Sequence, residues 1–154
     1  MSKPKVLFVC THNSARSQMA EAYLKQLAGD RMEVQSAGFQ PAPLNPLAVE
    51  VMAEDGLDIS GQTAQSVFRL FQEGRLFDYV ITVCEDSREA SCPIFPGLTR
   101  RLHWGFPDPA AVSGDHQAKL EKTREIRDQI KSRVRRWGEE VLSASRAGGS
   151  PPLS

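Results

Sequence analysis

The sequence predicts an α/β chain: a single-domain, doubly wound, parallel four-stranded sheet with helices on both faces. Three observations carry that prediction. Val6-Leu7-Phe8-Val9 and Asp78-Tyr79-Val80-Ile81-Thr82-Val83 are short runs rich in apolar and β-branched residues, as expected of buried strands. Segments of helical periodicity lie between and after them, and strands alternating with helices imply parallel pairing through crossovers. At 154 residues the chain suits one domain with a sizeable core.

Lys5 to Val9 reads as the first strand, and Ser17 to Ala28 as a helix with Ala20, Tyr23, Leu24 and Leu27 on one face. Glu33 to Ser36 is a short second strand, followed by a turn over Gly38 to Pro43. Asn45 is an N-cap and Pro46 a first helical residue. The stripe of this helix includes Ala48, Val51 and Met52, and Gly56 ends it. A short helix is expected over Ala64 to Gln72. Asp78 to Val83 is the next central strand, with Cys84 at its carboxyl end. Arg100 to His103 forms the last strand, and Trp104 to Pro109 a proline-punctuated loop. The final helix runs from about His116 to Leu142 behind an Asp115 cap, with Leu120, Ile126, Ile130, Val134, Trp137 and Val141 at helical spacing. Its basic residues Arg124, Arg127, Lys131 and Arg135 are interleaved with acids and read as a solvated face. His103, Trp104 and His116 are assigned to core or turn packing. The folded domain is thus 1–142, and 143–154, small, polar and rich in Pro and Gly, is expected to be a disordered tail.

Composition narrows the function. Nineteen basic and nineteen acidic residues cancel, which argues against a nucleic-acid or membrane-surface partner. No apolar stretch is long enough to span a bilayer, and Met1 to Lys5 lead into the first strand without a signal-peptide core. Three cysteines, an odd number, suit a reducing compartment. A cytoplasmic location is the expectation. With no CxxC pair among Cys10, Cys84 and Cys92, a zinc site is not expected.

In open parallel sheets ligands bind beyond the carboxyl ends of the strands. Cys10 and Cys84 both lie at such ends, so the topology places them on one rim. After Cys10 comes Thr11-His12-Asn13-Ser14-Ala15-Arg16-Ser17, leading into a helix. Backbone N–H groups of such a loop form an anion-binding nest, and the helix N-terminus adds its positive end. Both favour the thiolate of Cys10 over the thiol. Arg16 offers a planar fork of donors to a tetrahedral oxyanion. Asn13 tolerates the left-handed conformation a tight loop needs, and His12 is read as part of the loop's geometry rather than as a base.

Cys10 to Ser17 matches the Cys-x5-Arg-Ser loop of the low-molecular-weight tyrosine phosphatase superfamily. The string from Asn13 through Glu21, with Ser36-Ala37-Gly38 and Asp108-Pro109, resembles the arsenate reductases of that superfamily, and Cys84-Glu85-Asp86-Ser87-Arg88-Glu89-Ala90-Ser91-Cys92-Pro93 resembles the redox segment of its thioredoxin-coupled members. The likeness covers roughly the first 140 residues. It implies a flavodoxin-like fold of the phosphatase I type, with the anion held by Thr11, His12, Asn13, Ser14, Ala15 and Arg16. It further implies that Ser17 donates its hydroxyl to the Cys10 thiolate, and that Cys84 and Cys92 are redox partners of Cys10. In that relay Cys10 attacks arsenate and Cys84 attacks Cys10, releasing arsenite. Cys92 then takes over the disulfide, which reduced thioredoxin opens. No tightly bound cofactor is implied.

Were residues 84–92 helical, the two Cα atoms would be about 12 Å apart. A disulfide needs them within roughly 7 Å, so this segment is expected to rearrange. Asp108, between Pro107 and Pro109, is the implied general acid. Ala110 and Ala111 follow where related phosphatases carry aromatic residues, which favours reduction over the alternative of a phosphatase-like hydrolase. Some relatives bind potassium beside the loop; Asn13, Glu21 and Ser36 match its ligands, but Gln65 replaces an aspartate. The expected partners are therefore arsenate, phosphate as a competitor, and thioredoxin, with the chain acting as a monomer.

Overall fold

The computed structural model describes residues 3–84, 95 and 97–146. In chain order the elements are β1 (Lys5–Cys10), α1 (Arg16–Ala28), β2 (Glu33–Gly38), α2 (Pro46–Glu54), α3 (Val67–Gln72), β3 (Tyr79–Thr82), β4 (Arg100–His103), a 3-10 turn (Pro109–Ala111) and α4 (His116–Arg146). The four strands form one sheet in the order β2-β1-β3-β4, every neighbouring pair parallel. This is the four-stranded α/β architecture expected from the sequence.

β1 is buried on both faces, and its side chains divide by alternation. Val6, Phe8 and Cys10 join the larger apolar cluster, with Met19, Tyr23 and Leu24 of α1, Val51 and Met52 of α2, and Ile126, Ile130, Val134 and Trp137 of α4. Leu7 and Val9 face the smaller cluster with Val67 and Leu70 of α3, Phe77, Val80 and Phe95. The two faces are therefore covered unequally. Trp137 centres the larger side: its ring meets Tyr79 edge-on at 4.9 Å and Trp104 at 5.7 Å. Truncating a buried aromatic of this kind to alanine costs about 3–5 kcal/mol. Trp104 is core, as expected, and His103 reaches Thr82 Oγ1 through its Nδ1 at 2.7 Å.

Local chemistry sets the boundaries. Asn45 Oδ1 accepts from Leu47 N at 2.9 Å, and Gly56, at φ +75°, ends α2 in a left-handed conformation that suits glycine. Asp115 Oδ1 accepts from Ala118 N at 2.8 Å and caps α4 as expected. Two helix limits differ from the sequence reading by more than one residue. The helix expected from Ala64 begins only at Val67, because Ser66 adopts extended backbone and its Oγ takes the N–H groups of Phe68 and Arg69. α4 continues past Leu142 to Arg146; residues 147–154, the rest of the expected tail, lie outside the described residues.

The basic face of α4 is a correction. Arg124, Arg127 and Lys131 are not merely solvated: they clamp the end of α2. Arg124 grips Glu54 with a fork of bonds at 2.8–3.0 Å. Arg127, 9% exposed, donates to Glu54 Oε1 at 2.8 Å and to the Val51 carbonyl at 2.9 Å. Lys131 meets Asp55 at 3.0 Å, and Tyr23 OH donates to the same carboxylate at 2.6 Å. The physical reason is helix packing. α2 ends against α4, so two acids of α2 fall opposite bases spaced one helical turn apart.

Candidate active site

Cys10 is the last residue of β1 and lies almost wholly buried. Between it and α1 the chain makes a tight turn, with Asn13 at φ +52° in the left-handed region. What shapes this turn is where its carbonyls go. The carbonyls of Cys10, Thr11, His12 and Ser14 accept from the backbone N–H groups of Phe39, Gln40, Ala42 and Asn45 at 2.8–3.2 Å. That of Asn13 accepts from Gln18 Nε2 at 3.0 Å. With the carbonyls tied outward, the loop's N–H groups are left to face inward, which is the geometry of an anion nest. The N-cap of α1 is Ala15, whose side chain offers the first turn no acceptor. The positive end of the helix therefore opens onto the same place.

The sulfur itself receives two donors. Asn13 N–H points at Cys10 Sγ from 3.1 Å, and Ser17 Oγ lies 2.8 Å away. Asn13 Nδ2 donates to Ser17 Oγ at 2.8 Å, which occupies a lone pair of that hydroxyl and leaves its single proton for the sulfur. Both contacts place donors at the sulfur. Arg16 is 5% exposed; its Nη1 donates to the Phe106 carbonyl at 3.0 Å and its Nη2 lies 3.8 Å from Asp108 Oδ2. One guanidinium thus links the loop to the segment carrying the candidate acid. Asp108 also accepts from Ala110 N through Oδ1 at 2.9 Å, capping the 3-10 turn and fixing its χ angles from the other side.

Cys84 follows β3 by two residues and is buried. β1 and β3 are neighbours with Val9 opposite Thr82, and Val83 N donates to Val9 O at 2.8 Å. The two strands deliver Cys10 and Cys84 to the same edge of the sheet, as the topology predicted. No disulfide joins the two to each other. Cys92, and the expected rearrangement around it, lie outside the described residues. His12 Nδ1 meets the Gln40 carbonyl at 3.0 Å, a contact to the outer brace that fits its reading as loop geometry.

Several supports had no sequence reading. Residues 39–45 brace the carbonyls of the loop through backbone N–H groups. Gly38 makes this possible, since a Cβ there would lie 2.7 Å from Asn13 N. The string Ser36-Ala37-Gly38 contained that signal. Gln18, Gln62 and Thr63 form a second brace: Gln62 donates to Gln18, which reaches both Asn13 and Thr63 carbonyls. Amides of this kind carry no distinguishing pattern in a single sequence.

The oxygens implied as potassium ligands are all engaged by protein donors. Asn13 Oδ1 accepts from Gln65 N at 3.0 Å, and the Ser36 carbonyl from Gln65 Nε2 at 2.9 Å. Glu21 takes Ser36 Oγ–H on one oxygen and Lys25 Nζ on the other, both at 2.5 Å. A cation needs these oxygens turned toward it. The residues do not fit the ion.

A parallel α/β sheet whose first strand ends in a cysteine, cradled by a nest and a buried arginine, defines a thiol-based enzyme domain for tetrahedral oxyanions. The family model described as low molecular weight phosphotyrosine protein phosphatase matches residues 5–147. An arsenate reductase of Bacillus licheniformis is 42% identical over 139 residues, covering 90% of this chain and 98% of that one. Among solved structures, an arsenate reductase in an oxidized state superposes with a TM-score of 0.74 at 33% identity, covering 88% of this chain and 96% of that one. A thioredoxin-dependent arsenate reductase of Corynebacterium glutamicum gives 0.71 at 34% identity, covering 92% of this chain and 63% of that one. The chain belongs to the low molecular weight phosphotyrosine protein phosphatase family, among its arsenate reductases.

Proposed function

We propose that this chain reduces arsenate to arsenite by a relay of three thiols, with thioredoxin as the electron donor. The observation that carries the reading is the pair of cysteines at one sheet edge, one of them inside an oxyanion cradle. A phosphatase has use for the first thiol only.

The thiolate of Cys10 attacks arsenic while the loop's N–H groups and Arg16 hold the remaining oxygens. An oxygen leaves as water after taking a proton from Asp108. The Cys84 thiolate then attacks the sulfur of Cys10. The S–As bond breaks with its electron pair moving to arsenic, which falls from +5 to +3 and departs as arsenite. A Cys10–Cys84 disulfide remains. Cys92 attacks Cys84, releasing the Cys10 thiolate, and a reduced thioredoxin dithiol opens the resulting Cys84–Cys92 bond. Phosphate fills the same cradle but offers no accessible two-electron reduction, so it competes without being consumed. Cytoplasmic work as a monomer is part of the same reading.

Arsenate-dependent NADPH oxidation in the presence of thioredoxin and its reductase tests the proposal. Cys84→Ser and Cys92→Ser are each expected to abolish multiple turnover. Aryl-phosphate hydrolysis that both variants retain, without arsenate turnover in the parent, would replace the relay by a hydrolase.

A further inference from the structure

Between β2, α1 and the residues around 61–65 lies a cavity of about 320 Å³, whose lining includes Glu21, Lys25, Ser36, Gln62 and Gln65. Around it the protein has built a continuous path of hydrogen bonds to the nucleophile. Lys25 Nζ holds Glu21, Ser36 Oγ–H donates to Glu21, and Asn13 Nδ2 donates to Ser36 Oγ at 2.9 Å. The same Nδ2 donates to Ser17 Oγ, the neighbour of Cys10 Sγ. Gln65 closes this path at two points, its side-chain amide on the Ser36 carbonyl and its backbone N–H on Asn13 Oδ1. Gly38 N–H in turn donates to the Gln65 carbonyl at 2.9 Å.

At each oxygen that the resemblance implies for potassium, the donor is a protein N–H or O–H group. Asn13 can direct both amide protons toward Ser17 and Ser36 only while its Oδ1 is engaged from the far side. Ser36 can donate to Glu21 only while that carboxylate is held in place. We infer that Gln65 is a positioning residue that substitutes for a monovalent cation, with Lys25 neutralising Glu21, so that the loop is held ready without potassium. The orientation of Asn13, and through it of Ser17 toward the sulfur, is then set by covalently attached groups. The consequence for turnover rests on the reading of this loop as the arsenate site, whereas the consequence for anion binding does not.

The test uses the reduced full-length chain in potassium chloride and in N-methylglucamine chloride at matched ionic strength. Arsenate turnover and the rise in Tm produced by inorganic phosphate are both recorded. The parent is expected to behave identically in the two salts. Gln65→Ala keeps the backbone N–H on Asn13 Oδ1 but releases the Ser36 carbonyl, and through Ser36 it should lower kcat/KM about tenfold in both, the usual cost of removing a group that orients a reacting one. Gln65→Asp, which places an anionic oxygen beside Ser36, should lose as much in N-methylglucamine and regain it in potassium, while a merely structural role would give no cation-specific rescue. A potassium-specific gain in the parent would overturn the inference, as would full activity in Gln65→Ala or no rescue in Gln65→Asp. If no form turns over arsenate, the reductase reading fails, and the same salt comparison on the phosphate-induced Tm rise decides the role of Gln65.

Discussion

Among the described residues two arginines are buried, and they are used in opposite ways. Arg127 spends its donors on the protein: the Val51 carbonyl, Glu54 and Asp128 lie at 2.8–2.9 Å. Arg16 is as deeply placed, yet among the described residues it makes one hydrogen bond, to Phe106 O, and a 3.8 Å approach to Asp108. A guanidinium carries five N–H groups, and burying them without partners is costly. The first arginine holds two helices together. The second keeps capacity in reserve, in the nest that the proposed function fills with a tetrahedral anion. The contrast teaches that a functional charge is recognised by what its surroundings leave undone.

The largest effects should fall on the reserved side. Cys10→Ser is expected to remove arsenate turnover to background while leaving the thermal transition in place, and steady-state assay with calorimetry checks both. Arg16→Lys keeps the charge but loses the fork; kcat/KM should drop by about a hundredfold, with phosphate no longer raising Tm appreciably. Asp108→Asn preserves the cap on Ala110 but cannot give a proton, so the first chemical step should slow by about a hundredfold in single-turnover measurements. If Asp108→Asn left that step untouched, the acid would have to be sought elsewhere.

The committed side should respond in stability instead. Arg127→Met strips the Val51 carbonyl of its side-chain donor and leaves Glu54 to Arg124 alone at the α2–α4 contact, and it is expected to cost about 2 kcal/mol, read as a lower urea midpoint at constant slope. Activity per folded molecule should not change. The same cluster sets a smaller pH effect. The Tyr23 hydroxyl bond, followed by Lys131, holds the Asp55 carboxyl below the usual carboxylate range, and Arg124 does the same for Glu54. Both groups release their protons more readily folded than unfolded. Their contribution is therefore complete above the ordinary carboxylate value, near pH 4, and is lost as the pH falls through and below it. Urea midpoints measured across that window should fall more steeply in the parent than in Asp55→Asn.

Much of the reserved side was legible in the sequence, and little of the committed side. Cys10, Arg16 and Ser17 lie within eight residues, so their spacing between a strand and a helix states their geometry directly. The rim shared by Cys10 and Cys84 followed from two apolar runs being adjacent parallel strands. Asp108 is a different case, since its approach to Arg16 spans ninety-two positions and only a resemblance pointed to it. The clamp by Arg127 was read as solvated because alternating charge signs along a helix do not reveal which acids on another helix they will meet. The brace of residues 39–45 left no mark except Gly38, because backbone N–H groups have no letter in the sequence.

The strand order β2-β1-β3-β4 has a consequence for the order in which the molecule opens. β1 has a hydrogen-bonded partner on each side, whereas β2 and β4 have one apiece. Amide exchange should accordingly be slowest over Val6 to Val9 and over β3, which is paired on both sides as well, since escape to solvent there requires the sheet to come apart. A nucleophile attached to the end of such a strand belongs to the last unit to unfold. Partial openings that expose the helices or an edge strand would leave the sulfur where it was, ready when the rest of the fold closes again.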